Sequence, residues 1–149
     1  MANLAWSDEL SVGVSALDDD HQELFDGLEA LKVAMSETSD PGVHGAALSR
    51  LAESTRAHFS HEEEMMKAVK YPGQALHAAS HQHLTEKLGA FVARHCRGGH
   101  AMNEHSLKFL NDWLIHHIQT DDLRFGLWLK ESVAKRKLDS AAKASATPR

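Results

Sequence analysis

The sequence is short of several residue types, and each shortage excludes something. It has one cysteine, Cys96, among 149 residues, so it cannot form an internal disulfide and fits a reducing compartment. Only three prolines occur, and β-branched residues are few, which favours helices over strands. Lysine and arginine number 16 against 21 acidic residues, a net charge of −5 with no dense basic patch. Nucleic acid is therefore not expected as a partner. No apolar run approaches the roughly 20 residues of a membrane span. The opening "MANLAWSDEL" is already acidic and broken up, unlike a basic-then-apolar leader. The expectation is a cytoplasmic protein without membrane insertion, and a monomer, since no large apolar surface patch is readable. A chain this long suits one domain burying roughly 70% of its unfolded surface, enough for a core without cross-links.

What the sequence has is histidine: twelve of them, beside a single tyrosine. They fall into a pattern once the helices are drawn. Residues 1–17 lack helical periodicity and read as an extended arm, with Trp6, Val12, Val14 and Leu17 available to lie across a bundle. "DDD" (18–20) supplies acids suited to a helix start, and His21, Leu24, Phe25, Leu28, Leu31 and Met35 then recur at 3-and-4 spacing. "SETSDPG" (36–42) breaks that helix. A second is expected from about Val43 to Val69, ended by "KYPG"; a third from about Gln74 to His95, ended by "RGG"; a fourth from about Asn103 to Val133. The remainder, 136–149, is small and polar without a face and reads as a flexible tail. The expected fold is all-α: an antiparallel up-down four-helix bundle over residues 1–135, carrying the extended N-terminal arm.

Polar groups interrupt the inward stripe of every helix near its middle. They are His21; His58 and Glu62; His77 and His81; and His117 with Asp121 or Asp122. Residues four apart share a helix face, so "HxxxE" (58–62) and "HxxxH" (77–81) each aim two side chains at one point. Burying such groups without partners costs several kcal/mol each, and a bound metal reverses that balance. Five imidazoles and two carboxylates exceed the needs of one ion. Two ions fit, bridged by both carboxylates and a solvent oxygen, with imidazoles divided three and two. One ion is then six-coordinate, and the other five-coordinate with a position open to a small ligand such as O₂. Imidazole and carboxylate without thiolate suit iron or manganese. The repeated Glu-x-x-His pair of oxidase-type di-iron bundles is absent, so reversible binding is expected rather than enzymatic oxidation.

The set resembles the hemerythrin family, in particular its single-domain bacterial members. The matching stretches are "DDDHQELFDGL" around His21, "HFSHEE" with His58 and Glu62, "HAASH" with His77 and His81, and "WLIHHIQTDD" with His117 and Asp122. The arm "LAWSDELSVGVSALD" is also similar, and the resemblance spans roughly residues 4 to 130. It implies a non-haem centre of two iron ions, bridged by carboxylates and an oxo or hydroxo group, that binds O₂ reversibly. By the same resemblance His77, His81 and His117 hold the six-coordinate iron, His21 and His58 hold the open one, and Glu62 and Asp122 bridge. Helical spacing from His117 would favour Asp121; the family spacing of five favours Asp122, and its "H-I" pair favours His117 over His116. Phe59, Trp113, Leu114 and Ile118 match positions that wall the O₂ pocket. Phe125 departs from the pattern, standing where a tyrosine often lies.

The other histidines, His44, His61, His83, His95, His100, His105 and His116, are expected to be exposed or near helix ends, with His61, Glu63 and Glu64 as a solvated face. "HCRGGH" (95–100) offers too few ligands for a zinc site. Met65, Met66 and Trp128 are expected to be core. The function implied is O₂ storage, delivery or buffering by a protein that is not an enzyme. The alternatives are an O₂ or redox sensor acting through a separate protein partner, and a di-iron peroxidase, oxidase or nitric-oxide-handling enzyme.

Overall fold

Apolar residues spaced three and four apart organise the chain into four helical rods. In the computed structural model, which describes residues 6–98 and 102–146, these are α1 (Ser15–Glu37), α2 (Pro41–Ala68), α3 (Gln74–Gly98) and a composite fourth rod. The fourth consists of α4 (Glu104–His117), a π-helical segment (Ile118–Asp122) and α5 (Leu123–Ala146), continuous in sequence and helical throughout. No strand occurs among the described residues. α1 packs on α2, α2 on α3, and α1 on α4, and the short connections make neighbours antiparallel. The result is the expected four-helix bundle. Its interior is filled by Leu17, Leu24, Phe25, Leu28, Leu31, Leu48, Met66, Ile118 and Phe125, each less than 2% exposed. Met65 and Trp128 pack against this core from its edge.

Helix ends show where local chemistry differed from expectation. α1 starts at Ser15, ahead of "DDD", because Asp18 serves the arm instead of capping the helix. Its carboxylate accepts from Val12 N–H at 2.9 Å and from Ser11 Oγ–H at 2.5 Å. α2 starts at Pro41, inside the expected break: Asp40 caps it by accepting from Gly42 N–H at 2.9 Å, and proline at the first helical position needs no amide partner. α2 ends where Lys70 turns left-handed (φ 56°) and Tyr71 N–H returns to Met66 C=O at 2.9 Å. Asn103 caps α4 by accepting from Ser106 N–H at 2.9 Å.

One expectation about the periphery changes and another gains detail. α5 continues to Ala146 through the segment read as a tail, consistent with its content of alanine, lysine, arginine and leucine, all strong helix formers. His95 lies in the last turn of α3, near a helix end as expected, but is buried, and donates from Nε2 to Pro41 C=O at 2.6 Å. His44 likewise donates to the last carbonyls of α1 and its cap, 3.1 Å from Ala34 O and 2.7 Å from Thr38 O. Both histidines tie down the α1–α2 connection. His100 and residues 1–5 of the arm lie outside the described residues.

The arm is not fully extended: Asp8–Leu10 form a 3₁₀ turn. Leu10 and Val12 are buried, and Gly13 takes φ +78° as the chain enters α1. Val12 lies so close to α5 that a Cβ at Gly126 would sit 2.3 Å from its carbonyl oxygen. Gly126→Ala is therefore expected to push the arm off the bundle and cost about 1–3 kcal/mol. Thermal or denaturant unfolding checks this, and parent-like stability would contradict the contact.

Candidate metal centre

Each rod delivers polar side chains to one level of the bundle. α1 supplies His21, α2 supplies His58 and Glu62, α3 supplies His77 and His81, α4 supplies His117 and the π segment supplies Asp122. All seven are at most 4% exposed. Their potential ligand atoms form two overlapping groups, each with members within 4.8 Å of one another. One group is Glu62, His77, His81, His117 and Asp122; the other is His21, His58, Glu62 and Asp122. The carboxylates are the shared members, and the imidazoles divide three and two.

The π segment explains which aspartate enters. In an α-helix the residue four after His117 shares its face, and that residue is Asp121. A π turn adds one residue, so the fifth takes that place. Asp122 is fully buried, with Oδ1 2.8 Å from His77 Nε2 and 3.0 Å from His117 Nε2, and Oδ2 2.9 Å from His21 Nε2. Asp121 stays at the rim, where its Oδ2 lies 3.1 Å from His117 Nδ1 as an ion-pair partner and its Oδ1 faces Arg124. His116 points outward and is exposed, leaving His117 as the inward member of the pair.

Protons alone do not satisfy this cluster. Glu62 Oε1 lies 2.9 Å from both His77 Nε2 and His81 Nε2, yet neither Glu62 oxygen makes a hydrogen bond of acceptable angle. Asp122 Oδ2, both nitrogens of His21 and Nε2 of His58 are similarly buried without a hydrogen bond. Nε2 of His81 faces Nε2 of His117 at 3.1 Å, a contact that needs a proton on one ring and a lone pair on the other. Short distances combined with poor hydrogen-bond angles mean the donor atoms aim at common points rather than at each other. Orphaned groups of this kind are costly, and cations at the two points would satisfy them. The donor set, imidazole and carboxylate without thiolate, suits iron or manganese.

The electrostatics agree. Burial pushes His77 down, but the hydrogen bond to Asp122 and the carboxylate charges of Asp122 and Glu62 against the ring outweigh it and raise its pKa to about 10. Burial also opposes the charge on His117, and the Asp122 charge with the close carboxylates of Asp121 and Asp122 raises it to about 9. Burial raises Asp122, yet the His117 charge and the close imidazoles of His21 and His77 hold it well below the carboxylate range. Glu62 is pushed up by burial and by Asp122, and pulled below its ordinary value by His77 and His81. Burial lowers His58. Without metal, the site thus holds two imidazolium ions against two carboxylates.

A second layer supports the first, and the sequence reading missed most of it. Asp20 accepts from Nδ1–H of His58 at 3.0 Å and of His61 at 2.9 Å. Glu63 accepts from His81 Nδ1–H at 3.2 Å, and Ser80 Oγ lies 3.2 Å from His117 Nδ1. His61 is exposed and Glu63 partly so, as expected of a solvated face, yet both are also engaged in this layer. Their signal was slight: each stands beside an inward residue, at a phase that helical spacing assigns to the surface.

Aromatic rings close the site. Phe59 stacks on His81 (centroids 3.8 Å apart, planes 6° apart) and Trp113 on His117 (4.6 Å, 15°). Leu114 and Ile118 are buried in the apolar core beside His117 in the chain. Phe125 meets His77 edge-on at 6.4 Å, and behind it at 4.9 Å sits Tyr71, the chain's one tyrosine, which the sequence reading passed over.

Metal content measured per chain tests the π register. Asp122→Asn is expected to abolish loading of the pair, while Asp121→Asn keeps both ions; the reverse result would contradict the register. The raised imidazoles give a second expectation. Metal must displace their protons, so apparent affinity should climb with pH until those groups deprotonate, at about 9 to 10. Calorimetry in buffers of different ionisation enthalpy counts the released protons, and no release at pH 7 would contradict it.

Comparison with known proteins completes the description. The family model described as "Hemerythrin HHE cation binding domain" matches residues 12–128. A myohemerythrin of Sipunculus nudus is 33% identical over 120 residues, covering 80% of this chain and 88% of its own. A bacteriohemerythrin of Stenotrophomonas maltophilia (strain R551-3) is 30% identical over 122 residues, covering 82% and 78%. A crystal structure of wild-type hemerythrin superposes with a TM-score of 0.78 at 28% identity, over 84% of this chain and 96% of that one. No helix among the described residues is long and apolar enough to cross a membrane. A match over most of the length, built on a helical bundle with a buried imidazole and carboxylate cluster at its centre, shows that this chain belongs to the hemerythrin family.

Proposed function

We propose that this chain binds O₂ reversibly at two iron ions, for storage, delivery or buffering, and does not turn over a substrate. Residues 1–135 would form the binding domain. His77, His81 and His117 would hold one ion, His21 and His58 the other, with Glu62 and Asp122 shared. The observation that carries the reading is the asymmetry of the cluster: two groups share both carboxylates, and one of them has an imidazole fewer. The side with fewer imidazoles would leave a coordination position for a small exogenous ligand.

Iron in such a site supplies the electrons that reversible O₂ binding requires. The protein's part is to limit what else happens. Imidazole ligands neutralise less metal charge than carboxylates, which disfavours strongly oxidised states and favours binding over oxidation of other molecules. Phe59, Trp113, Leu114 and Ile118 would keep water and protons away from the ligand, since buried apolar walls offer no hydrogen bonds to either. The similarity to proteins called bacteriohemerythrin and myohemerythrin supports the same reading.

The test is an absorption spectrum of the iron-loaded protein through cycles of air and argon. A visible band that appears in air and bleaches under argon, repeatedly, is the expected result. One-way conversion with consumption of a substrate would instead make it an enzyme. Leu114→Ala, which opens the apolar wall, is expected to speed irreversible oxidation several-fold, and equal oxidation rates for variant and parent would remove Leu114 from that role.

A further inference from the structure

We propose that Asp20 is a positioning residue for His58, and through it for the half of the centre that has two imidazoles, with the exposed His61 holding Asp20 in place. The inference rests on the ligand assignment proposed above. Asp20 immediately precedes His21 on α1, and neighbouring helical residues point about 100° apart. His21 therefore enters the cluster while Asp20 reaches across to α2. There one carboxylate oxygen, Oδ2, accepts from both His58 Nδ1–H at 3.0 Å and His61 Nδ1–H at 2.9 Å. His58 and His61 are three residues apart, so both rings meet that oxygen from one face of α2.

The contact fixes the chemistry of the His58 ring. A proton held on Nδ1 by a carboxylate leaves the lone pair on Nε2, the atom that belongs to the cluster and has no hydrogen bond of its own. It also fixes the ring's orientation and makes Nε2 a stronger donor, as carboxylates behind ligating imidazoles generally do. What sets Asp20 apart is that nothing substitutes for it. On the three-imidazole side, Glu63 backs His81 and Asp121 backs His117. On the two-imidazole side, Nδ1 of His21 has no hydrogen-bond partner, so among the described residues Asp20 is the one carboxylate behind that half. His61, with its side chain 49% exposed, occupies the second approach to Oδ2 and holds Asp20 against solvent competition. The polar stretch "HFSHEEE" thereby uses His61 as a support two shells from the centre.

The experiment compares iron release from the loaded parent, Asp20→Asn, Asp20→Ala and His61→Ala to a strong chelator, together with reduction potential and the melting temperature of the metal-free chains. Asparagine keeps the size and an acceptor oxygen but lacks the charge. In both Asp20 variants one of the two irons is expected to leave faster by a factor on the order of 10–100, with the other at the parent rate. The potential should rise as His58 becomes a weaker donor. Asparagine should fall between parent and alanine, and His61→Ala should shift the same readings less. Parent-like release and potential in both Asp20 variants would overturn the proposal, leaving Asp20 as a surface tie that moves only the melting temperature. Equal acceleration of both irons would overturn it too. A parent that holds two irons but shows no reversible O₂ band defeats the functional reading alone, and the release comparison still decides the role of Asp20.

Discussion

Seven side chains able to ligate a metal are buried together at the middle of an apolar bundle, and the rest of the structure answers to that burial. Carboxylates and imidazoles removed from water lose their hydration, which costs several kcal/mol for each charge left without a partner. Here the charges partly offset one another, with Asp122 and Glu62 holding His77 and His117 in their protonated forms. The compensation is incomplete: carboxylate oxygens and ring nitrogens remain without good hydrogen bonds. The unsatisfied groups this leaves are the local inconsistency expected at a functional site, and a pair of cations would satisfy them.

The scaffold explains how so many donors meet. Side chains on rigid helices are held more closely than side chains on loops, and here every member of the cluster is on a helix. Helical spacing delivers two pairs, from α2 and α3, without distortion. The fourth rod cannot deliver both of its donors that way, and a π segment between Ile118 and Asp122 moves the phase by one residue. Leucine and phenylalanine fill the interior around this level, so the cluster sits in a dry setting where charge interactions are strong. The aromatic stacks of Phe59 on His81 and Trp113 on His117 belong to the same wall.

Outside the cluster, histidine is used for support. His61 shares Asp20 with His58, while His44 and His95 hold the carbonyls at the α1–α2 connection. An unusual abundance of histidine thus has two physical causes, of which the cluster is one. The carboxylates of Asp20, Glu63 and Asp121 form a ring of acceptors behind the imidazoles, half in contact with water. Each connects the polar exterior of the helices to one imidazole of the dry interior by a direct contact.

The sequence alone determined the four rods and six of the seven members of the cluster. Both follow from a period near 3.6 residues, which sorts every side chain on a regular helix into inward or outward. His58 and Glu62, like His77 and His81, needed no more than that rule. Three things lay beyond it. The choice between Asp121 and Asp122 turned on a π segment, which has no strong local signature; spacing alone pointed to Asp121, which stays at the rim, and family resemblance pointed to Asp122, which the fold buries in the cluster. The supporting roles of Asp20, Glu63 and His61 depend on which neighbouring helix each one meets, information that periodicity along one helix does not contain. The starts of α1 and α2 were set by hydrogen bonds, Asp18 to the arm and Asp40 to Gly42, that compete with the positions composition favours. Facing is a property of one helix and can be read along it; pairing is a property of two, and only the tertiary structure decides it.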